Sequence, residues 1–350
     1  MAASAPSTAD ETVWPSNDAL GRLSRTNAAA YLERINLPGT LLDSPPSLDL
    51  LRSLQSQHML TVPFESTTIH VPDWHDLSAP VSLGGGEPVA LGERAYRHLV
   101  ELRRGGYCFS GNSTFAALLR YFGFRVSECS ARVNAKQRKD PEVDGYDWDS
   151  TSHQVSIVDW EGSDGRFLVD VAFGANCAYP IPFHNGATQT SIPSADLFRL
   201  TCTPRLPGSS AALLPDSAPY WTLWRQCYNP SGTAYWSPIY AFLLQSVPFR
   251  DFRVKNHWQS TNATARFRTF FVATRLHDTG ERTTLMYLDG MTHPQRSGEA
   301  AAKLSRTEAP REGRREEELR TEWVPMRVGE VREVLEREFG MRFPDEYGGN

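Results

Sequence analysis

Residues Arg103–Gly123 read RRGGYCFSGNSTFAALLRYFG. Two glycines, Gly105 and Gly106, precede Cys108. After it, Phe115, Leu118, Leu119 and Phe122 recur at helical spacing up to Gly123, a residue suited to ending a helix. The stretch predicts a loop that turns sharply into a helix, with Cys108 in the first turn. A free cysteine is among the most buried residue types and is commonly inert filler. At a helix N-terminus, next to a protonated histidine, its pKa falls below the usual value of about 8.5 and the same residue becomes a nucleophile. Glycines before it let the backbone turn and leave room for a substrate.

From Phe124 the apolar period changes to that of strands. FRVSECSARV, SHQVSIVDW and GRFLVDVAFG predict strands, and the polar stretch NAKQRKDPEVDGYDWD between the first two predicts an exposed loop. His153 opens one strand, and Asp170 interrupts the apolar run Phe167–Phe173. A buried carboxylate needs a hydrogen-bond donor or a counter-charge. Nearby backbone amides could supply it, and so could an imidazole. Two turns are compatible with the hairpin. A Gly162-Ser163 turn sets His153 opposite Ala172 and Val155 opposite Asp170, leaving His153 and Asp170 diagonal on one face, roughly 7–8 Å apart. An Asp164-Gly165 turn sets His153 opposite Asn176, out of reach of Asp170. In the first register Cys108, His153 and Asp170 supply a nucleophile, a base and an orienting group.

The rest of the chain bounds this reading. At 350 residues it is long for one core and predicts two or three packed units. A net charge of −5 offers no basic field for nucleic acid. No apolar run reaches the length of a membrane span. The opening MAASAPSTADETVWPSND lacks the apolar core of a secretory signal. The five cysteines are widely spaced without a CxxC pair, so neither a disulfide framework nor a metal site is expected. A reducing, cytoplasmic setting follows. Ser47 is a natural N-cap for LDLLRSLQSQH, and Pro63 ends that helical region. Gly84–Gly86 lack the spacing of a phosphate loop. Later strands are expected in PYWTLWRQC, YWSPIYAFLL, RTFFVATRL and RTTLMYLDG. EAPREGRREEELR reads as solvated surface, and RVGEVREVLEREFG as a final helix stopped by Gly340.

VPFE (Val62–Glu65), RGGYCF (Arg104–Phe109) with Asn112, SHQV around His153, and VDVAFG (Val169–Gly174) occur in that order. Together they resemble the arylamine N-acetyltransferase family. YLERINL at Tyr31–Leu37 resembles the family's first helix, and DFRVKNHWQST at Asp251–Thr261 its entry into the third domain. Domain proportions resemble a fungal member more than a bacterial one. The resemblance implies an α+β fold of three domains: a helical bundle with the cysteine (residues 25–124), an antiparallel β-barrel with His and Asp (125–245), and an α/β lid (246–350), after a loose tail (1–24). It implies ping-pong transfer of an acetyl group from acetyl-CoA through a Cys108 thioester to an arylamine, hydrazine or N-hydroxyarylamine, as in xenobiotic detoxification. His153 then serves as base and Asp170 orients it, with no metal, nucleic acid or membrane involved.

Less specific matches place Phe64, Val133 and Phe173 in the acceptor pocket, although ordinary core is an equally good reading of each. Trp258, Thr264 and Arg266 match positions near CoA; a lone Arg266 on a strand edge also reads as solvated. Arg104 and Glu65 match an ion pair bracing the cysteine loop. The chain departs from the family pattern at Ser110 and Gly111, where Glu and Gln are common, at Ser66, and at Ala172, where the pattern has Gly. Some fungal members prefer malonyl-CoA, whose extra carboxylate calls for a cation; Arg132 is the candidate. A transglutaminase-like cysteine hydrolase and a non-catalytic binder are the competing classes, against which the RGGYC loop and the intact triad argue.

Overall fold

The computed structural model describes residues 11–174, 177–210 and 217–343. The N-terminal part is built from helices α1 (Arg25–Arg34) and α2 (Leu48–Thr61), the two-residue strand β1 (Phe64–Glu65), and helices α3 (Glu93–Tyr96) and α4 (Cys108–Tyr121). Ser24 and Ser47 cap α1 and α2 by accepting the N–H of Asn27 and Leu50, each at 3.2 Å. Helix α4 is central: every residue from Cys108 to Leu119 is buried. Its polar members satisfy themselves locally, as Ser113 and Thr114 donate to the carbonyls of Phe109 and Ser110. Of the expected tail, residues 1–10 lie outside the described residues, and residues 11–24 make contacts. Val13 bridges to Arg22, Leu23 is buried, and Trp14 packs 5.5 Å from Tyr96.

Eight antiparallel strands follow: β2 (Arg125–Val133), β3 (His153–Asp159), β4 (Phe167–Val169), β5 (Ile181–Pro182), β6 (Thr188–Thr190), β7 (Leu197–Thr203), β8 (Tyr220–Tyr228) and β9 (Ala234–Ser246), with the short helix α5 (Pro141–Asp144) in the β2–β3 connection. They curl in the order β5-β4-β3-β2-β9-β8-β7-β6 into a nearly closed barrel around Phe198, Leu200, Leu223, Tyr240 and Phe242. The β3–β4 hairpin takes the register in which Ser156 opposes Val169 and Val158 opposes Phe167. That is the register of a Gly162-Ser163 turn, although the strands part at Asp159 and a wide loop replaces the tight turn. The expected third strand is short, ending at Val169. The 134–149 connection is also tied down: Asn134 bridges to Trp148, whose indole N–H donates to Pro207 O at 2.8 Å.

Helices α6 (Phe249–Thr261) and α7 (Arg266–Thr269) lead into strands β10 (Phe270–Leu276), β11 (Arg282–Leu288), β12 (Ala301–Thr307) and β13 (Glu318–Pro325), and helix α8 (Val328–Phe339) closes the lid. Helix α8 buries Val331, Leu335 and Phe339 and ends at Gly340 in the left-handed region (φ +66°). The sheet order is β1-β10-β11-β12-β13, so the lid borrows its edge strand from the N-terminal part. Val71, Trp74 and Val81 likewise join the lid core. Among the described residues no helix is long and apolar enough to cross a membrane.

Candidate active site

The Cys108 loop is shaped by close backbone contact. A side chain on Gly105 would strike Pro63 O, and one on Gly106 would lie 2.5 Å from Ser110 Oγ. Gly106 also pairs with the strand before it, donating to Pro63 O at 3.3 Å and accepting from Glu65 N at 3.1 Å. Tyr107 is the residue before the helix, and its hydroxyl lies 2.6 Å from Asn256 Oδ1 and 3.0 Å from Ser260 Oγ of α6. Cys108 therefore opens α4, packed with Tyr107, Phe109 and Phe252 under α6.

Its sulfur lies 3.6 Å from the carbonyl oxygen of Ser152, the residue before His153. His153 Nε2 and Asp170 Oδ2 are 2.7 Å apart, both side chains almost fully buried. Asp170 Oδ1 accepts from Asn112 Nδ2 at 2.9 Å and from the Ala172 N–H at 3.1 Å. Asn112 also donates to Gln154 O at 2.7 Å and accepts from Val171 N at 2.9 Å. The His153 ring sits between Phe173 and Tyr240, with centroids 4.9 and 5.1 Å away. The N-terminus of α4 thus abuts β3 and the end of β4, with Cys108 beside Ser152 and the His153–Asp170 pair adjoining it in sequence.

The electrostatics differ from the expected activated thiol. Burial first, then the Asp170 carboxylate, push the Cys108 thiol well above its ordinary value, against the backbone N–H groups of Gln154, Phe109 and Cys108 itself, which favour the thiolate. The helix N-terminus acts in the expected direction and is outweighed. The Arg104–Glu65 bridge is replaced by separate anchors. Glu65 takes the Thr67 N–H at 2.5 Å, while the Arg104 guanidinium stacks on Phe343 at 3.9 Å and Trp74 at 5.1 Å and donates to Arg342 O. Burial raises the Glu65 carboxyl, moderated by Thr67 and then by the Arg104 charge.

Phe173 touches the His153 ring, and Val133 opposes Tyr240 in the β2–β9 pairing. Phe64 lies 6.0 Å from Phe267 and packs against the Cys108 cluster. Trp258, Thr264 and Arg266 lie farther out, exposed along α6 and the start of α7. Arg266 is on a helical turn above the Phe270 ring rather than on a strand edge, and Thr264 bonds Asn262 Oδ1 at 2.8 Å. Arg132 donates to Asp149 O and lines a recess of about 250 Å³ with Thr151 and Lys255. Sequence reasoning gave no role to Asn112 or Tyr107. The available signal for Asn112 was its place one helical turn after Cys108, on the same face. Among the described residues no group of three or more His, Cys, Asp or Glu side chains converges as a metal site.

Residues 47–343 match the family model described as N-acetyltransferase. The chain is 27% identical over 283 residues to the N-malonyltransferase FDB2 of Fusarium pseudograminearum, covering 76% of this chain and 78% of that protein. It is 29% identical over 280 residues to an arylamine N-acetyltransferase of Mycobacterium tuberculosis, covering 78% and 84%. The arylamine N-acetyltransferase of Mycobacterium marinum in complex with CoA superposes with a TM-score of 0.59 at 25% identity, covering 89% of this chain and 92% of that one. The Salmonella typhimurium enzyme shares the fold with a TM-score of 0.64 at 21% identity, over 93% and 94%. The agreement of family match, fold and relatives makes this chain a member of the arylamine N-acetyltransferase family, and thus an acyltransferase enzyme.

Proposed function

We propose that the chain transfers an acyl group from CoA to a small aromatic amine or hydrazine by a ping-pong route through a Cys108 thioester. The observation that carries the reading is the buried His153–Asp170 contact of 2.7 Å beside a cysteine whose sulfur reaches the neighbouring Ser152 carbonyl. Because burial and Asp170 disfavour an isolated thiolate, the proton is transferred within the site rather than lost. With Nε2 turned to Asp170, His153 Nδ1 takes the Cys108 proton, and the resulting imidazolium sits with an anion on either side. The sulfur attacks the thioester carbonyl, the C–S bond to CoA breaks, and the CoA thiolate leaves with the proton from His153. The amine nitrogen then attacks acyl-Cys108, His153 accepts the amine proton, and the Cys108 sulfur departs. The Cys108 N–H, one of the helix's unpaired first donors, is the candidate for steadying the carbonyl oxygen as charge develops. Phe64, Val133 and Phe173 line the acceptor side in this reading. Trp258, Thr264 and Arg266 meet CoA outside it.

A second reading makes malonyl-CoA the preferred donor. Arg132 and Lys255 support it: both face the recess at Thr151, which lies beside Ser152, and Lys255 Nζ is 2.7 Å from Thr151 Oγ1. The name of the Fusarium relative points the same way. Intact mass after mixing with acetyl-, propionyl- or malonyl-CoA is the test. The expected result is one acyl adduct, absent in Cys108→Ala and discharged by a simple aromatic amine; the fastest donor identifies the natural acyl group. Full transfer activity in Cys108→Ala would overturn the proposal.

A further inference from the structure

Barrel and lid meet at a second polar centre. Asp196, between β6 and β7, takes Arg225 Nε of β8 and Arg282 Nη2 of β11, each at 2.6 Å. Glu316, ahead of β13, takes Arg225 Nη2 at 2.5 Å and Arg282 Nη1 at 3.2 Å. Its other oxygen meets a third guanidinium, Arg138 of the 134–149 connection, at 2.8 Å. Burial opposes ionisation of Asp196 and Glu316, yet Arg225 and its neighbours hold both carboxyls below their ordinary range. Three cations therefore share two anions: Arg225 and Arg282 are buried with the carboxylates, and Arg138 is the surplus at the opening. Half of the Arg138 side chain still faces the opening, but protein atoms crowd it. Desolvation first, then Arg225, push its guanidinium down to about 10.

The surplus faces a pocket of about 380 Å³. Lys139, Arg311, Arg314 and Arg315 join Arg138 and Arg225 in its wall. Against these six cations stand the carboxylates of Asp140, Asp144 and Glu316, and Asp140 is already turned to the Glu142 N–H as the cap of α5. In a chain of net charge −5 this is a local reversal of sign. EAPREGRREEELR is exposed along Arg311–Arg315, as expected of solvated surface, and its arginines and Glu316 also form one side of this pocket. Arg138 is held in place there: its backbone is left-handed (φ +59°) and its carbonyl accepts from Tyr235 OH at 2.8 Å.

We infer that this pocket binds a small multivalent oxyanion, carrying phosphate or several carboxylates, between the barrel and the lid. Guanidinium forks match both groups in geometry and charge. None of Cys108, His153, Asp170, Trp258, Thr264 or Arg266 lines the pocket, so the site is separate from the proposed acyl-donor site. Its ligand would neutralise the surplus charge at the opening and tie the lid to the barrel by binding the folded state alone. The test is thermal denaturation and titration calorimetry of the full chain with inorganic phosphate or citrate, against sodium chloride at matched ionic strength. A saturable rise in Tm on the order of 2–4 °C is expected, absent in Arg138→Gln/Arg315→Gln. The single variant Arg315→Gln, at an exposed position, weakens the response and keeps the test valid if the double variant unfolds. Cys108 acylation by acyl-CoA proceeds at the parental rate in Arg315→Gln, and it is scored separately from anion binding. A non-saturating rise shared by parent and variants would reflect general exclusion of these ions from protein surfaces and would overturn the site. Loss of the phosphate response in CoA-saturated protein would assign the pocket to the donor instead.

Discussion

Asn112 makes three hydrogen bonds in one place: both amide hydrogens on Gln154 O and Asp170 Oδ1, and its oxygen on Val171 N. Removing it takes one partner from each of three buried polar atoms, at about 1–3 kcal/mol for any that finds no replacement, and leaves Asp170 Oδ1 with the Ala172 N–H. Asn112→Ala is expected to lower kcat/KM by about 10–100-fold, with Cys108 still acylated but slowly. Asn112→Asp should do worse, because it sets a second carboxylate against Asp170. Stopped-flow acylation with intact-mass readout checks both; a parental rate in Asn112→Ala would sink the positioning role. The contrast with the triad shows what can be read from a sequence. A carboxylate inside an apolar strand is conspicuous, as is a cysteine before a helical stripe. An asparagine whose partners are two backbone atoms and one side chain of other elements is marked only by its place one helical turn after Cys108. For the Cys108 thiol, helix position is local, whereas the desolvation and the Asp170 charge that raise its pKa come from the fold.

Between elements, α4 and the turn after β4 come closest at Gly111. A methyl there would lie 2.6 Å from Ala172 Cβ. These are two of the positions where the chain departs from the family pattern, and the departures fit each other: the side chain missing from the helix leaves space for the methyl gained after the strand. Gly111→Ala is expected to cost about 1–3 kcal/mol through overpacking, with Ala172→Gly restoring most of it. Urea unfolding of both single variants and the double gives the coupling; additivity within about 0.5 kcal/mol would refute it. The hairpin register was one of two readable from the turn residues, and the strand pairing takes the one that brings His153 to Asp170. Helix α6 went unread as a helix because its buried face includes Asn256, Gln259 and Ser260 beside Phe252, so no apolar period exists to find. Strand β1 is two residues long, below any pattern.

For the molecule as a whole, buried histidines set the response to acid. His58 is held neutral near a pKa of about 3 and His70 near about 4, chiefly by burial. His58 Nδ1 pairs with Tyr31 OH at 2.8 Å, and His70 Nδ1 accepts the Gly84 N–H at 2.9 Å. Below the unfolded value of about 6.5 the unfolded chain binds protons that the folded chain refuses. Stability should therefore fall by roughly 1.4 kcal/mol per pH unit per histidine as pH drops from 6.5 towards 4. Urea midpoints at pH 7, 6 and 5 measure it, and a constant midpoint would contradict it. The change from helical to strand period at Phe124 was legible along the chain, whereas the division into three domains came from the resemblance. The sharing of the lid sheet was not legible, because it joins residues far apart in sequence. Ser66 Oγ receives the Val272 N–H at 3.1 Å across 206 positions, one residue after the β1 strand that clamps the Gly106 loop. On a ribosome, Cys108 emerges long before β10 exists. Its loop then lacks its outer brace, and the Cys108 thiol stays open to passing electrophiles until β10 is made.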